Sequence, residues 1–195
     1  MPTKLARRAF LAIGAAGVVM AGPAAQATER LKISGNRGTI DFAIGDSRIF
    51  RTTGGFKDWQ GIVHVNDDDV PRSRVEVIVR TGSVQMLDNQ QTAMLKDSDF
   101  FDVEKFPEMT FRSTHIERTG DSTLRVDGDI TLRGITRPMV LDVAVTDRRP
   151  NAAPGTRYAG FRAKGTIKRS EFGMTKFVDV VGDNVEISIN ADAWR

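Results

Sequence analysis

The chain contains no cysteine, which removes disulfides and thiolate chemistry from the possibilities and leaves the redox compartment unmarked. Histidine is nearly missing as well: only His64 and His115 occur, far apart in the sequence. A zinc site takes about four closely spaced ligands, so the two imidazoles read as surface or rim residues. Asp67-Asp68-Asp69 lacks the spaced oxygen ligands and closing glutamate of a calcium loop and reads as a hairpin turn. There is no serine–histidine pair and no glycine-rich phosphate loop. Gly134 and Pro138 are turn formers. Asp97, Asp99, Asp102 and Glu104 offer neighbouring carboxylates, but solvated turns and helix caps account for them more simply than acid–base work. No metal, no cofactor and no catalytic set is therefore expected.

A lasting excess of one charge is also lacking. The formal net charge of +3 comes from 28 basic and 25 acidic residues. Lys4, Arg7 and Arg8 stand within the first 27 residues, where no acidic residue occurs; without them 25 basic face 25 acidic residues. No clustered basic face remains for nucleic acid. Those 27 residues read as an export leader. They have a basic start, an apolar run from Phe10 to Ala21, and small residues ending in Ala25-Gln26-Ala27. The run is too short and too rich in Gly and Ala for a good membrane span. Arg7-Arg8 resembles a twin-arginine signal, with Ala6 where that signal prefers Ser or Thr. The expectation is a leader over 1–27, one domain over 28–195, a periplasmic location, and only transient membrane contact.

What the rest of the chain has is alternation. Thr39 to Ile44 and Arg74 to Arg80 alternate polar and apolar residues, Ile78 excepted, as strands with one buried face do. Further strands are expected over Gly61–Val65, Met109–Glu117, Thr123–Leu132, Met139–Thr146, Tyr158–Ile167 and Val185–Ala191. Turn signals fall at Asn66–Pro71, Thr119–Asp121 and Arg133–Gly134, and a longer loop at Asp147–Thr156. Asn89–Asp97 has helix formers without alternation, and Lys168–Met174 suits one helical turn. About eight or nine strands, with a short helix after the fourth, predict an all-β sandwich or closed barrel. A barrel of about eight strands can hold one ligand. Periodicity cannot separate a filled barrel from a hollow one. Ile40, Phe42 and Ile44 share one face, Val75, Val77 and Val79 a second, Met109 and Phe111 a third.

The densest feature is SDFFDVEKFPEMTF, Ser98 to Phe111, which places Phe100, Phe101, Phe106 and Phe111 among five charged residues. It is preceded by Gly55-Phe56-Lys57-Asp58-Trp59-Gln60-Gly61 and Ala93-Met94-Leu95-Lys96-Asp97. It is followed by Asp127 to Pro138, with Gly134-Ile135-Thr136-Arg137-Pro138, and by Arg169-Ser170-Glu171-Phe172-Gly173-Met174. In this order the motifs resemble the YceI family of polyisoprenoid-binding periplasmic proteins, over about Leu31 to Ala191. The resemblance implies a lipocalin-like antiparallel β-barrel of about eight strands with a short helical insertion. It also implies a hydrophobic tunnel for an amphiphile: a polyprenyl lipid, an isoprenoid quinone, or a fatty acid or its amide. A second copy of the chain would cover a protruding tail. Resemblance and periodicity together place Ile40, Phe42, Phe56, Trp59, Val77, Met94, Phe100, Phe101, Phe111, Phe161, Arg169, Phe172 and Met174 at the ligand. Phe100 and Phe101 would sit where the helical insertion meets the barrel. Arg169 would hold an anionic head at the mouth, or serve as a solvated turn charge. Family members often carry Arg-Asp-x-His-Leu before the paired phenylalanines; here Gln91-Thr92-Ala93-Met94-Leu95 stands there. Arg37-Gly38 replaces a common His-Ser pair. Those departures favour a less charged head group, such as a quinone or an amide. A binding module is expected, not an enzyme; the alternatives are a filled, ligand-free barrel serving in stress or surface interaction and, behind it, an enzyme acting on an isoprenoid lipid.

Overall fold

The structure, a computed structural model, describes residues 28–45, 51–149 and 153–195; the leader expected over 1–27 lies outside the described residues. Eleven strands and two short helices follow in order. They are β1 (Glu29–Ser34), β2 (Gly38–Ile44), β3 (Thr52–Phe56), β4 (Trp59–Val65), β5 (Arg74–Arg80) and β6 (Val84–Met86), then α1 (Asn89–Lys96). After it come β7 (Glu108–Arg118), β8 (Thr123–Leu132), β9 (Ile135–Thr146), β10 (Arg157–Lys168), α2 (Val178–Val181) and β11 (Asn184–Trp194). The alternation in the sequence becomes the pleat. In β5, Val75, Val77 and Val79 turn inward while Arg74, Glu76, Ile78 and Arg80 are exposed. The irregular Ile78 is therefore an outward residue, 38% exposed.

Eight strands form a closed antiparallel ring in the order β1-β4-β5-β7-β8-β9-β10-β11. The ring shuts where Lys32 meets Trp194. β11 is longer than β1 and, on the edge away from β10, serves two partners, because its stretch Val185–Ala191 pairs with β2. From β2 the sheet continues to β3 and β6. The barrel is thus completed by β1 toward one end and prolonged by β2, β3 and β6 toward the other. The β4–β5 and β7–β8 connections, the end of β9 and the start of β10 gather at one end, beside Tyr158. The β8–β9 turn, the β10–β11 connection, α1 and the phenylalanine-rich segment gather at the opposite end, beside Arg169.

Three strands escape the sequence reading: β1, β3 and β6. The helix consequently follows the sixth strand, not the fourth. β3 is Thr-Thr-Gly-Gly-Phe and β6 has three residues, too little for a period to declare itself. The helix itself falls where expected. Asp88 caps it, its carboxylate accepting the Gln91 amide at 2.7 Å, which satisfies one of the first free amides of the helix. Lys168–Met174, expected as one helical turn, contains a 3-10 turn over Arg169–Phe172. Arg133 and Gly134, with φ of 53° and 72°, make the two-residue β8–β9 turn, whose twist suits a hairpin only with both residues left-handed.

Candidate functional site

Two groups of buried side chains form opposite walls. Leu31, Ile33, Ile40, Phe56, Trp59, Val79 and Tyr158 belong to one. Ile116, Val126, Ile130, Leu132, Met139 and Leu141 belong to the other. Between them runs a cavity of about 510 Å³ lined by residues of both walls, within the roughly 300–1,000 Å³ usual for ligand sites. It reaches from Asp67, Asp121 and Arg148 at the Tyr158 end to Met94, Lys176 and Phe177 at the Arg169 end. Its polar lining residues lie mostly toward the ends, and the middle is aliphatic and aromatic.

Of the thirteen residues placed at the ligand by the sequence, twelve line this cavity: Ile40, Phe42, Phe56, Trp59, Val77, Met94, Phe100, Phe101, Phe111, Phe161, Arg169 and Met174. Phe172 does not. Its ring is completely buried in the wall beneath the 3-10 turn, among the β7–β10 cluster. The period-two argument does not extend to a turn, and there Phe172 packs backward while Met174 reaches the lumen. Sequence reasoning passed over Tyr158, Lys176 and Phe177, which also line the cavity. Phe177 lies beside α2, an element without a visible sequence signal.

The large side chains leave the lumen open because several lie along the wall. A Cβ added to Gly54 would stand 2.4 Å from Phe42 Cζ, and one added to Gly128 would stand 2.5 Å from Phe111 Cζ. Each ring therefore covers a glycine on the neighbouring strand, an aromatic–glycine pairing that compensates the missing side chain. Phe56 joins the lining rings into a chain, its centroid 5.8 Å from Phe42 and 5.4 Å, edge-on, from Phe101, within the range of favourable aromatic contact.

Phe100 and Phe101 sit in the turns between α1 and β7, which span the gap beyond β6. The segment is tied down on both sides. Thr81 donates its hydroxyl to the Phe106 carbonyl at 2.7 Å and its amide to the Pro107 carbonyl at 3.0 Å. Arg133 donates to the carbonyls of Ser98 and Phe100. The segment turns on backbone bonds and one ion pair: the Asp97 main-chain carbonyl accepts the amides of Phe100 and Asp102, each at 3.0 Å, and the Asp99 carboxylate pairs with Lys176 at 2.5 Å. So Phe100, Phe101 and Phe111 wall the cavity, while the Asp99–Lys176 pair helps to tie down the loop that carries the first two.

The ends differ in chemistry. At the Tyr158 end the tyrosine hydroxyl donates to Asp67 at 3.0 Å, and Arg148 pairs with the same carboxylate. At the other end Arg169, 5% exposed, donates from Nε to the Gly182 carbonyl at 2.9 Å. Its Nη1 reaches the carbonyls of Met174 at 3.2 Å and Lys176 at 2.7 Å. Burial pulls its pKa below the usual guanidinium range, and the nearby charge of Asp183 only partly offsets this. Burial by itself would raise the Asp183 carboxyl. The Ser170 hydroxyl at 2.7 Å and amide at 2.8 Å, with the charges of Arg169 and Lys168, outweigh it and hold the group below the ordinary carboxylate range. Gln91 and Met94, which stand where the family often has Arg and His, both line the cavity. Arg37 instead lies over the Trp194 ring, 4.7 Å from its centroid.

A closed antiparallel barrel with an apolar cavity along it is the architecture of small barrels that enclose a single ligand. The chain belongs to the YceI family: the model of the YceI-like domain matches residues 31–193. A UPF0312 protein of Yersinia pestis is 30% identical over 172 residues, 88% of either chain. Among solved structures, Burkholderia cenocepacia BcnA superposes with a TM-score of 0.68 at 23% identity, covering 80% of this chain and 95% of its own. A domain from Saccharophagus degradans, described as polyisoprenoid-binding and implicated in plant cell wall breakdown, superposes with a TM-score of 0.60 at 10% identity, covering 86% and 99%. At such identities the structural likeness speaks for the fold.

Proposed function

We propose that the protein is an exported, periplasmic carrier or store that holds the tail of one amphiphilic lipid inside its barrel. The observation that carries this reading is the apolar cavity of about 510 Å³ between the two walls. Transfer of a tail into it gains roughly 0.8 kcal/mol per buried methylene, so a few isoprene units supply most of the affinity without strong polar contacts. The favoured cargo is a polyprenyl lipid or isoprenoid quinone, in keeping with the polyisoprenoid-binding description of the Saccharophagus degradans domain. A fatty acid or its amide is the next class, since an apolar tunnel discriminates poorly between tails. The tail lies against Ile40, Phe42, Phe56, Trp59, Val77, Phe101 and Phe111, and a tail longer than the lumen is covered by a second copy of the chain. Binding is favoured over catalysis because Asp67, Arg148 and Tyr158 are engaged with one another and the middle of the lining is apolar.

Native mass spectrometry of the mature protein from its own periplasm, followed by organic extraction, tests this. One stoichiometric adduct that extracts as a polyprenyl lipid, quinone or acyl lipid is the expected result. A clean apo mass, with no uptake of added quinone or polyprenyl lipid, would reject the carrier and leave a barrel that acts without cargo.

A further inference from the structure

The charges at the two ends of the cavity are not equally committed. At the Tyr158 end, Asp67 is shared by Arg148 and the Tyr158 hydroxyl, and Arg118 donates to the Asp121 carbonyl at 3.2 Å. At the opposite end Lys176 is held by Asp99. Arg118 also meets only a carbonyl, but it is exposed; Arg169 differs from all of these in its burial. It is nineteen-twentieths buried, lines the cavity, and gives Nε and Nη1 to three backbone carbonyls. Carbonyls satisfy its protons but do not cancel its charge. Asp183, the nearby carboxylate, has its oxygens on Ser170 and acts on Arg169 only through space. Among the described residues Nη2 has no hydrogen-bond partner. It is also not sealed in protein, for the one sealed and unpartnered side-chain nitrogen among the described residues is Trp59 Nε1. Nη2 is thus a donor neither bonded nor sealed, on a side chain that lines the lumen.

Resting on the carrier reading, we infer that Nη2 of Arg169 is the head-group site of this cavity. It takes an oxygen of an anionic amphiphile, a carboxylate or phosphate, with the head at the Arg169 end and the tail directed toward Tyr158. A buried guanidinium that donates to a charged oxygen makes one of the stronger protein hydrogen bonds, and the anion supplies the counter-charge that the carbonyls do not. A neutral acceptor such as a quinone or alcohol gains the bond without the charge term, and a cationic head meets repulsion. The neutral head expected from Gln91 and Met94 is thereby revised: the cation comes from the β10–β11 connection, not from α1.

The unmodified mature chain suffices for the decisive test. Stearic acid bearing a nitroxide a few carbons from the carboxyl is bound, and side-chain NMR signals are followed. Broadening of the Met174 methyl ahead of the ring of Tyr158, the single tyrosine, is the expected result; the reverse order overturns the inference while leaving the carrier intact. The affinities of farnesoic acid, farnesol and farnesylamine give the second arm. The acid is expected to bind about tenfold or more tightly than the alcohol, with the amine weakest. Equal binding of all three refutes the head-group site, and binding of none refutes the carrier itself. Arg169→Gln should erase the preference for the acid, whereas Lys176→Gln and Arg148→Gln should keep it. Loss of the preference in either of the latter, with Arg169 present, assigns the head elsewhere. Should Arg169→Gln fail to fold, the nitroxide order on the unmodified chain decides alone.

Discussion

At the scale of single residues, the cavity owes its existence to glycine as much as to phenylalanine. Gly54 and Gly128 let Phe42 and Phe111 lie along the wall. Gly128→Ala places a methyl where Phe111 now rests, with the Arg112 carbonyl only 2.6 Å away on its other side, so the ring must swing inward and the neighbouring strand must shift. The expected outcome is a loss of about 1–3 kcal/mol and weaker uptake of long tails, checked by urea unfolding and by lipid titration of the same variant. The period of two shows which residues turn inward: Ile40, Phe42 and Ile44 all line the lumen. It does not show whether inward residues meet, because that depends on which glycine stands beside which ring across strands. Asp183 gives a prediction of a different kind. Its folded-state pKa is depressed, so its contribution to stability is present above the ordinary aspartate value near about 4 and fades as pH falls through the folded-state value. Asp183→Asn should lower stability at neutral pH and flatten the acid limb of the stability curve. Denaturation midpoints measured from about pH 7 down to about pH 3 provide the check; an unchanged acid limb would argue against the carboxylate.

Among the elements, the connection between α1 and β7 matters most to the site. It has little regular structure, yet it covers the lumen beyond the free edge of β6 and carries Phe100 and Phe101 inward. Phe101→Ala removes the edge-on contact to Phe56 and opens this side. A cost of roughly 3–4 kcal/mol is expected, with faster lipid release, measured by thermal unfolding and by dissociation of a preloaded fluorescent lipid. Unchanged release would mean that this connection does not confine the cargo. The motif was readable because its aromatic residues are dense. Its partners β3 and β6 were not, because Thr-Thr-Gly-Gly carries no alternation and three residues cannot display a period. β1 was readable in principle, since Leu31 and Ile33 alternate with charged and polar neighbours, but the strand is short.

For the whole molecule, the informative feature is that one edge of β11 serves two partners, β1 near its end and β2 along most of its length, while β10 takes the other edge. The ring is therefore shut by a small contact at the last residues. Arg195 is tied to Glu29, and Arg157 to Asp192 at 2.8 Å. Removing the four residues from Asp192 onward should cost about 2–4 kcal/mol and loosen the Tyr158 end, with faster hydrogen exchange in β1 and β10 than in β7 and β8. Uniform exchange across these strands would show that the contact is not what holds the ring shut. A closed ring was one of two architectures the strand count allowed, and nothing in residue order alone chose between them. The pairing of first and last strands is a contact between positions more than 150 residues apart, 32 and 194, which short-range periodicity cannot report.

The placement of the two tryptophans makes the protein its own optical probe. Trp59 sits in the cavity wall, 3% exposed, its indole N–H sealed and without a partner. Trp194 lies under the Arg37 guanidinium at the closing seam. Their light should therefore fall into two bands, with Trp59 emitting toward the blue and Trp194 toward the red. A quinone ring entering the lumen quenches the blue band by contact, whereas a saturated tail without a chromophore leaves its intensity in place. A cuvette and an unlabelled sample are then enough to tell one class of cargo from the other.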